Sequence, residues 1–227
     1  GIICPAETPE GHAVGCVKNL ALTASISNYS SPLSVYMELD NLKTRRLEDC
    51  EPADIHNKTK VFVNGTWWGI HNHPSSVVRR LRSMRRMGIL NPQTGISWRI
   101  EMNQIEIWTD AGRYLQPLYI VENNEFRMTG DIIREVKERR MDFENLVVGS
   151  LPRKVSLMEG NSTMTARNIT GDVAEGVIEY LDVLEKDNAL VAMSADELGK
   201  LDANGYVRKY THCEIHPSLI LGVLASI

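Results

Sequence analysis

No stretch of about 18 or more apolar residues occurs in the 227-residue sequence, so no membrane-spanning helix is expected. The four cysteines, Cys4, Cys16, Cys50 and Cys213, contain no Cys-x-x-Cys pair, and zinc sites present their ligands in such close pairs. No secretory signal is expected either. Disulfides are therefore not expected. The Asn-x-Ser/Thr matches at Asn28, Asn57, Asn64, Asn161 and Asn168 read as chance. Basic excess is also lacking: the formal charge is −4, whereas a free-standing nucleic-acid binder is usually basic. A part of a larger machine need not show that excess, because its basic surface can lie elsewhere. There is no internal repeat. The start has neither initiator Met nor a basic segment before an apolar core, and the apolar run at residues 219–227 stops without a cap. The expectation is an internal segment of a longer protein.

What is present is an ordinary globular composition, 43% hydrophobic and 24% charged, long enough for one or two domains with a core. Residues 1–16 are rich in Pro and Gly and read as a turning loop. An apolar helix is expected over residues 17–26, and a second from the Ser30-Ser31-Pro32 start to about Asn41. Residues 43–60 are polar and irregular. Val61-Phe62-Val63, Asn64-Gly65 and Thr66 to Ile70 spell a hairpin, because Asn-Gly supplies the positive φ angles of a tight turn. Residues 74–90 form the clearest helix, with Val77, Val78, Leu81 and Met84 as its apolar stripe. Its arginines, Arg79, Arg80, Arg82, Arg85 and Arg86, are read as a solvated face.

Residues 96–108 alternate and are expected to pair with residues 114–122 across the turn Thr109-Asp110-Ala111-Gly112. In that turn Asp110 and Gly112 are read as turn formers and Arg113 as a structural ion-pair partner. Residues 131–148 read as one amphipathic helix and residues 150–172 as a loop. Strands are expected at 177–183 and 189–193 around the polar turn 185–188, then a short helix capped by Ser194, a strand over 207–215 and a last helix from Pro217. The class is α+β: antiparallel hairpins with amphipathic helices, rather than alternating βαβ units.

Two motifs carry chemistry. In Cys4-Pro5-Ala6-Glu7-Thr8-Pro9-Glu10-Gly11, two prolines fix φ and remove backbone donors, while Gly11 and Gly15 permit close backbone approach. Glu7, Thr8 and Glu10 offer acceptors and a hydroxyl that can anchor a loop or order water. In Tyr210-Thr211-His212-Cys213-Glu214-Ile215-His216-Pro217, strand alternation would put His212, Glu214 and His216 on one face. Metal binding there is weakened by the absence of a second ligand cluster. A Cys/His hydrolytic pair lacks a marked group to orient the base.

The first motif, continued by Val17-Lys18-Asn19-Leu20-Ala21-Leu22, resembles the fork region of second-largest subunits of multi-subunit RNA polymerases, in its RNA polymerase II form. The resemblance continues in order through Arg79 to Gly88, Trp108 to Leu118, Glu179 to Asp182, and the run from Thr211 to Ser226, which looks like the start of that family's hybrid-binding region. Residues 123–172 match poorly. Cys16 stands where the family usually has Leu, Thr23 where it often has Met, and Gln116 where it usually has Arg. Those departures point to a divergent source or a viral relative.

The resemblance implies several small subdomains of a larger subunit: the end of the fork over 1–28, an external helical and hairpin unit over 29–95, a mixed external unit over 96–205, and a truncated hybrid-binding start over 206–227. It implies that Glu7, Thr8, Pro9, Glu10 and Gly11 lie near the active centre, and that His212, Glu214 and His216 support neighbouring loops. Mg2+ would be bound mainly by the largest subunit, since no AspPheAspGlyAsp-like cluster is present here. The segment alone would be inactive. Its partners would be the largest and smaller polymerase subunits, template DNA and the RNA–DNA hybrid. Its location would be the nucleus, or a viral factory or cytoplasm for a viral source.

Overall fold

Alternating strands and amphipathic helices build two open sheets, in a computed structural model that describes residues 1–56, 58–149, 175–201 and 205–215. The class is α+β, as expected. In chain order the strands are β1 (Ser25–Ile26), β2 (Arg45–Arg46), β3 (Thr59–Val63), β4 (Thr66–His71), β5 (Gly95–Arg99), β6 (Gln104–Trp108), β7 (Tyr114–Glu122), β8 (Glu125–Phe126), β9 (Ile178–Asp182), β10 (Val191–Ala192) and β11 (His212–Cys213). The helices are α1 (Leu33–Asn41), α2 (Pro52–Ile55), α3 (Pro74–Arg86), α4 (Gly130–Lys137), α5 (Phe143–Val148) and α6 (Val183–Lys186).

The first sheet has five strands in the order β2-β4-β3-β6-β5. Its hairpin is the one the sequence predicts: Asn64 and Gly65 both take positive φ, 49° and 80°. Val61, Val63, Ile96, Ile105 and Ile107 point from it to one side, where Val35 and Leu39 of α1 and Val77, Val78, Leu81 and Met84 of α3 cover them. Each such fully buried aliphatic side chain contributes about 1.5–3 kcal/mol. This sheet draws on residues 45–108 and so crosses the expected boundary between 29–95 and 96–205.

The second sheet is organised on β7, which pairs with β1, β8, β9 and β11, while β10 joins β11 in parallel. The expected hairpin between residues 96–108 and 114–122 does not form. Instead β6 pairs with β5 in antiparallel fashion and with β3 in parallel, and the chain crosses at Thr109 to Arg113 into the other sheet. Alternation specifies a buried face, not a partner.

Other expectations also give way. Residues 17–26 are not a helix: Leu20 bridges Ile3, Ser25–Ile26 is strand, and Val17, Leu20 and Leu22 are exposed. Residues 131–148 divide into α4 and α5, with Arg139 at φ 54° between them. The polar segment 43–60 contains β2 and α2, and the turn expected at 185–188 begins inside α6. The strand expected at 207–215 is confined to His212–Cys213, with Val207 in a single bridge to Leu201. The helix expected after Ser194 is one 3-10 turn, Ala195–Glu197, with no cap from the serine side chain. The expected loop at 150–172 and helix from Pro217 lie outside the described residues.

Candidate functional site

The loop at residues 4–11 is closed at its base by backbone. Cys4 N donates to Asn19 O at 2.9 Å and Ala21 N to Ile2 O at 2.8 Å. Inside it, the Thr8 hydroxyl accepts from Gly15 N at 3.1 Å and donates to Val17 O at 3.3 Å. Asn19 Nδ2 donates to the Glu7 carbonyl at 3.3 Å. Thr8 thus braces the loop. Gly11 opens a 3-10 turn, Gly11–Ala13, at φ 87°, a conformation that a side chain would strain. Glu7 and Glu10 are exposed, and their carboxylates make no hydrogen bond or ion pair with another described residue. Such carboxylates repel phosphate; they can accept from hydroxyl or amino groups and order water.

His212 and Glu214 are not brought together as a ligand pair. His212 is buried, and its Nε2 donates to Glu179 Oε2 at 3.1 Å. The Glu214 carboxylate accepts instead from Gln116 Nε2, at 2.9 and 2.8 Å, and Lys186 Nζ donates to Gln116 Oε1 at 2.5 Å. His216 lies outside the described residues. Among the described residues no group of three or more His, Cys, Asp or Glu is placed to hold a metal. All four cysteines are free thiols; burial, together with Glu214 and Glu197, pushes the Cys213 thiol up.

The feature that sequence reasoning misses is a buried charge cluster. Arg85, taken as part of a solvated face, is 1% exposed. Arg85 Nη2 donates to Glu179 Oε1 at 2.5 Å and to Glu185 Oε1 at 2.9 Å, and Arg85 Nη1 donates to Glu185 Oε2 at 2.7 Å and Thr94 O at 2.5 Å. Arg86 reaches Glu179 Oε2 at 3.0 Å, and Arg82 reaches Glu185 Oε1 at 3.1 Å. Arg82, Arg85 and Arg86 share this side because helical residues three and four apart are neighbours. Arg79 alone among the five remains exposed. Burial pushes the Glu179 carboxyl up, but Arg85, the His212 hydrogen bond and Arg86 outweigh it and hold it well below the usual carboxylate range. The same carboxylates raise the Arg85 guanidinium against its own desolvation. Arg113 is the ion-pair partner expected: Nη1 meets Asp182 Oδ2 at 2.8 Å and Nε meets Asp110 Oδ1 at 2.9 Å. Asp182 also caps α6, accepting from Glu185 N at 2.8 Å.

Three family models match this chain in order: RNA polymerase Rpb2, domain 3, over residues 1–26; domain 4 over 61–122; and domain 5 over 173–217. Together they cover more than half of it. DNA-directed RNA polymerase II subunit 2 of Arabidopsis thaliana is 36% identical over 230 residues, covering 100% of this chain and 18% of the relative. The corresponding RNA polymerase II subunit of Schizosaccharomyces pombe is 37% identical over 250 residues, covering 100% of this chain and 20% of the relative. DNA-directed RNA polymerase subunit 2 of Acanthamoeba polyphaga mimivirus is 29% identical over 252 residues, covering 100% and 19%. The chain belongs to the family of second-largest subunits of DNA-directed RNA polymerases, with 34–37% identity over its whole length to RNA polymerase II members. It spans about a fifth of the length of the curated relatives it matches. The charge cluster joins two of the matched domains: Arg85 lies in the domain 4 match, and Glu179, Glu185 and His212 lie in the domain 5 match.

Proposed function

We propose that the chain serves DNA-templated transcription as part of the second-largest subunit of RNA polymerase II, shaping the active centre beside template DNA and the RNA–DNA hybrid. The observation that carries this is identity of 36–37% over the whole chain to RNA polymerase II subunits of a plant and a fission yeast. Glu7, Thr8, Pro9, Glu10 and Gly11 form the loop next to nucleic acid. Thr8 holds its shape, and the exposed Glu7 and Glu10 carboxylates steer phosphates away while accepting from sugar or base donors. His212, Glu214 and His216 stand at the start of the hybrid-binding region, as supports rather than ligands.

In this reading the magnesium ions that activate the attacking hydroxyl and neutralise the leaving phosphate belong to the largest subunit. The segment then has no nucleotidyl transfer of its own; the largest subunit, the smaller subunits, template and hybrid are its partners, and the nucleus its location. A second reading, a viral polymerase subunit working in a viral factory or the cytoplasm, is favoured by the mimivirus relative and by Cys16, Thr23 and Gln116. The test is affinity purification of the full-length protein that carries this chain. Template-dependent RNA synthesis that co-purifies with a largest subunit and stops on magnesium chelation is expected. A purified protein with neither partner nor synthesis overturns the proposal.

A further inference from the structure

Where the two sheets meet, buried charge stands beside neutral bonds such as Ser97 Oγ to Leu184 O at 3.1 Å. The apolar cluster under α3 and the one around Leu146, Val147, Val177 and Ile178 share no residue, and between them stand Arg85, Glu179 and Glu185, each 3% exposed or less. Apolar contacts tolerate sliding; charge-assisted hydrogen bonds fix direction. The Arg85 fork is filled on every side, by two carboxylates and the Thr94 carbonyl. Glu179 Oε1 accepts from Arg85, and its Oε2 accepts from both Arg86 and His212 Nε2. His212 is in β11, a strand of two residues whose backbone pairs with Ile120 and Tyr119 of β7 and with β10. So short a strand has few ladder bonds to set its place, and the contact with Glu179 of β9, in the same sheet, is its side-chain link to Arg85 of α3, the helix that covers the first sheet.

We propose that Arg85 is a positioning residue: through Glu179 it fixes His212, and with it the strand at the start of the hybrid-binding region. The proposal rests on the polymerase reading above. A buried ion cluster of this kind adds little net stability compared with apolar packing, and its best-attested use is to specify one geometry. α3 thereby orients an element whose buried Cys213 belongs to a separate apolar cluster.

The test uses the complete polymerase carrying Arg85→Met, Arg85→Lys or His212→Leu, and Arg85→Met with His212→Leu. Arg80→Ala is the control, since Arg80 pairs with Glu38 of α1, away from the junction, at 3.0 Å. Single-nucleotide addition on a preassembled RNA–DNA scaffold gives a burst amplitude, which counts active molecules, and a rate, which does not depend on their number. Arg85→Met and His212→Leu should each lower kcat by roughly threefold or more, with KM little moved. Arg85→Lys should keep more of the rate than Arg85→Met. The double variant should be no slower than the slower single, because both break one path. Where Arg85→Met fails to assemble, Arg85→Lys combined with His212→Leu is read in the same way. Multiplicative losses, a fall in amplitude alone, or rates equal to the Arg80→Ala control overturn the proposal. An unsubstituted enzyme that adds no nucleotide overturns the polymerase reading instead, so the two failures are distinct.

Discussion

Arg85 and Glu179, separated by 94 residues of chain, meet at 2.5 Å with side chains 1% and 2% exposed. Each has a further partner, Arg85 in Glu185 and Glu179 in Arg86. Removing one partner of an isolated buried pair costs about 3–5 kcal/mol, and the remaining partners here offset part of that loss.

Acid should release this contact. The folded Glu179 carboxyl is held well below its ordinary value, so its stabilisation is fully present above the unfolded carboxyl's value of about 4.3 and is lost as pH falls through the lower folded value. Melting temperature of the complete protein, measured down through that window, should fall more steeply for the unsubstituted protein than for Glu179→Gln. Parallel curves would show that Glu179 does not carry the acid sensitivity.

Gly95 is required by close approach. A Cβ there would stand 1.9 Å from Asp182 Oδ2 and 2.8 Å from Arg113 Nη1, so Gly95→Ala must part that ion pair. The expected loss is about 1–3 kcal/mol, as for other overpacked sites. Thermal unfolding of Gly95→Ala alone and combined with Arg113→Met checks the cause: the two losses should not add.

Gln116 is 1% exposed and lies between Lys186 and Glu214. Its amide passes the Lys186 charge toward a carboxylate that an arginine would meet directly. Gln116→Arg should therefore destabilise by about 1–3 kcal/mol, since the longer side chain crowds the site and faces a like charge. Adding Lys186→Met should recover part of that loss in the same unfolding measurement. No recovery would mean that Lys186 is not the opposing charge.

Local features were legible in the sequence. The Asn64-Gly65 hairpin and the stripe Val77, Val78, Leu81 and Met84 need only neighbours within a turn or two. Arg113 was legible as an ion-pair partner. The role of Arg85 was not, because periodicity shows that a position is charged but not that its acids arrive 94 and 100 residues later. Pairing failed for the same reason: β6 alternates equally well beside β3 or β7. Residues 17–26 misled in another way. Their apolar content imitated a buried helix, yet Val17 and Leu22 are 51% and 68% exposed, and the segment holds a bridge at Leu20, a turn closed by Ala24 N to Ala21 O and a strand at Ser25–Ile26. The loop at 4–11 was legible as a shape fixed by Pro and Gly; the bracing by Thr8 was not, because its partners Gly15 and Val17 lie seven and nine residues on.

In the proposed function this loop lies beside nucleic acid. A photoreactive amino acid in place of Glu10, in the assembled polymerase halted on a scaffold with labelled template and RNA, measures that directly. Crosslinks to template or RNA near the growing end are the predicted result. Labelling of protein alone, in complexes that still extend the RNA when nucleotides are added, would contradict it.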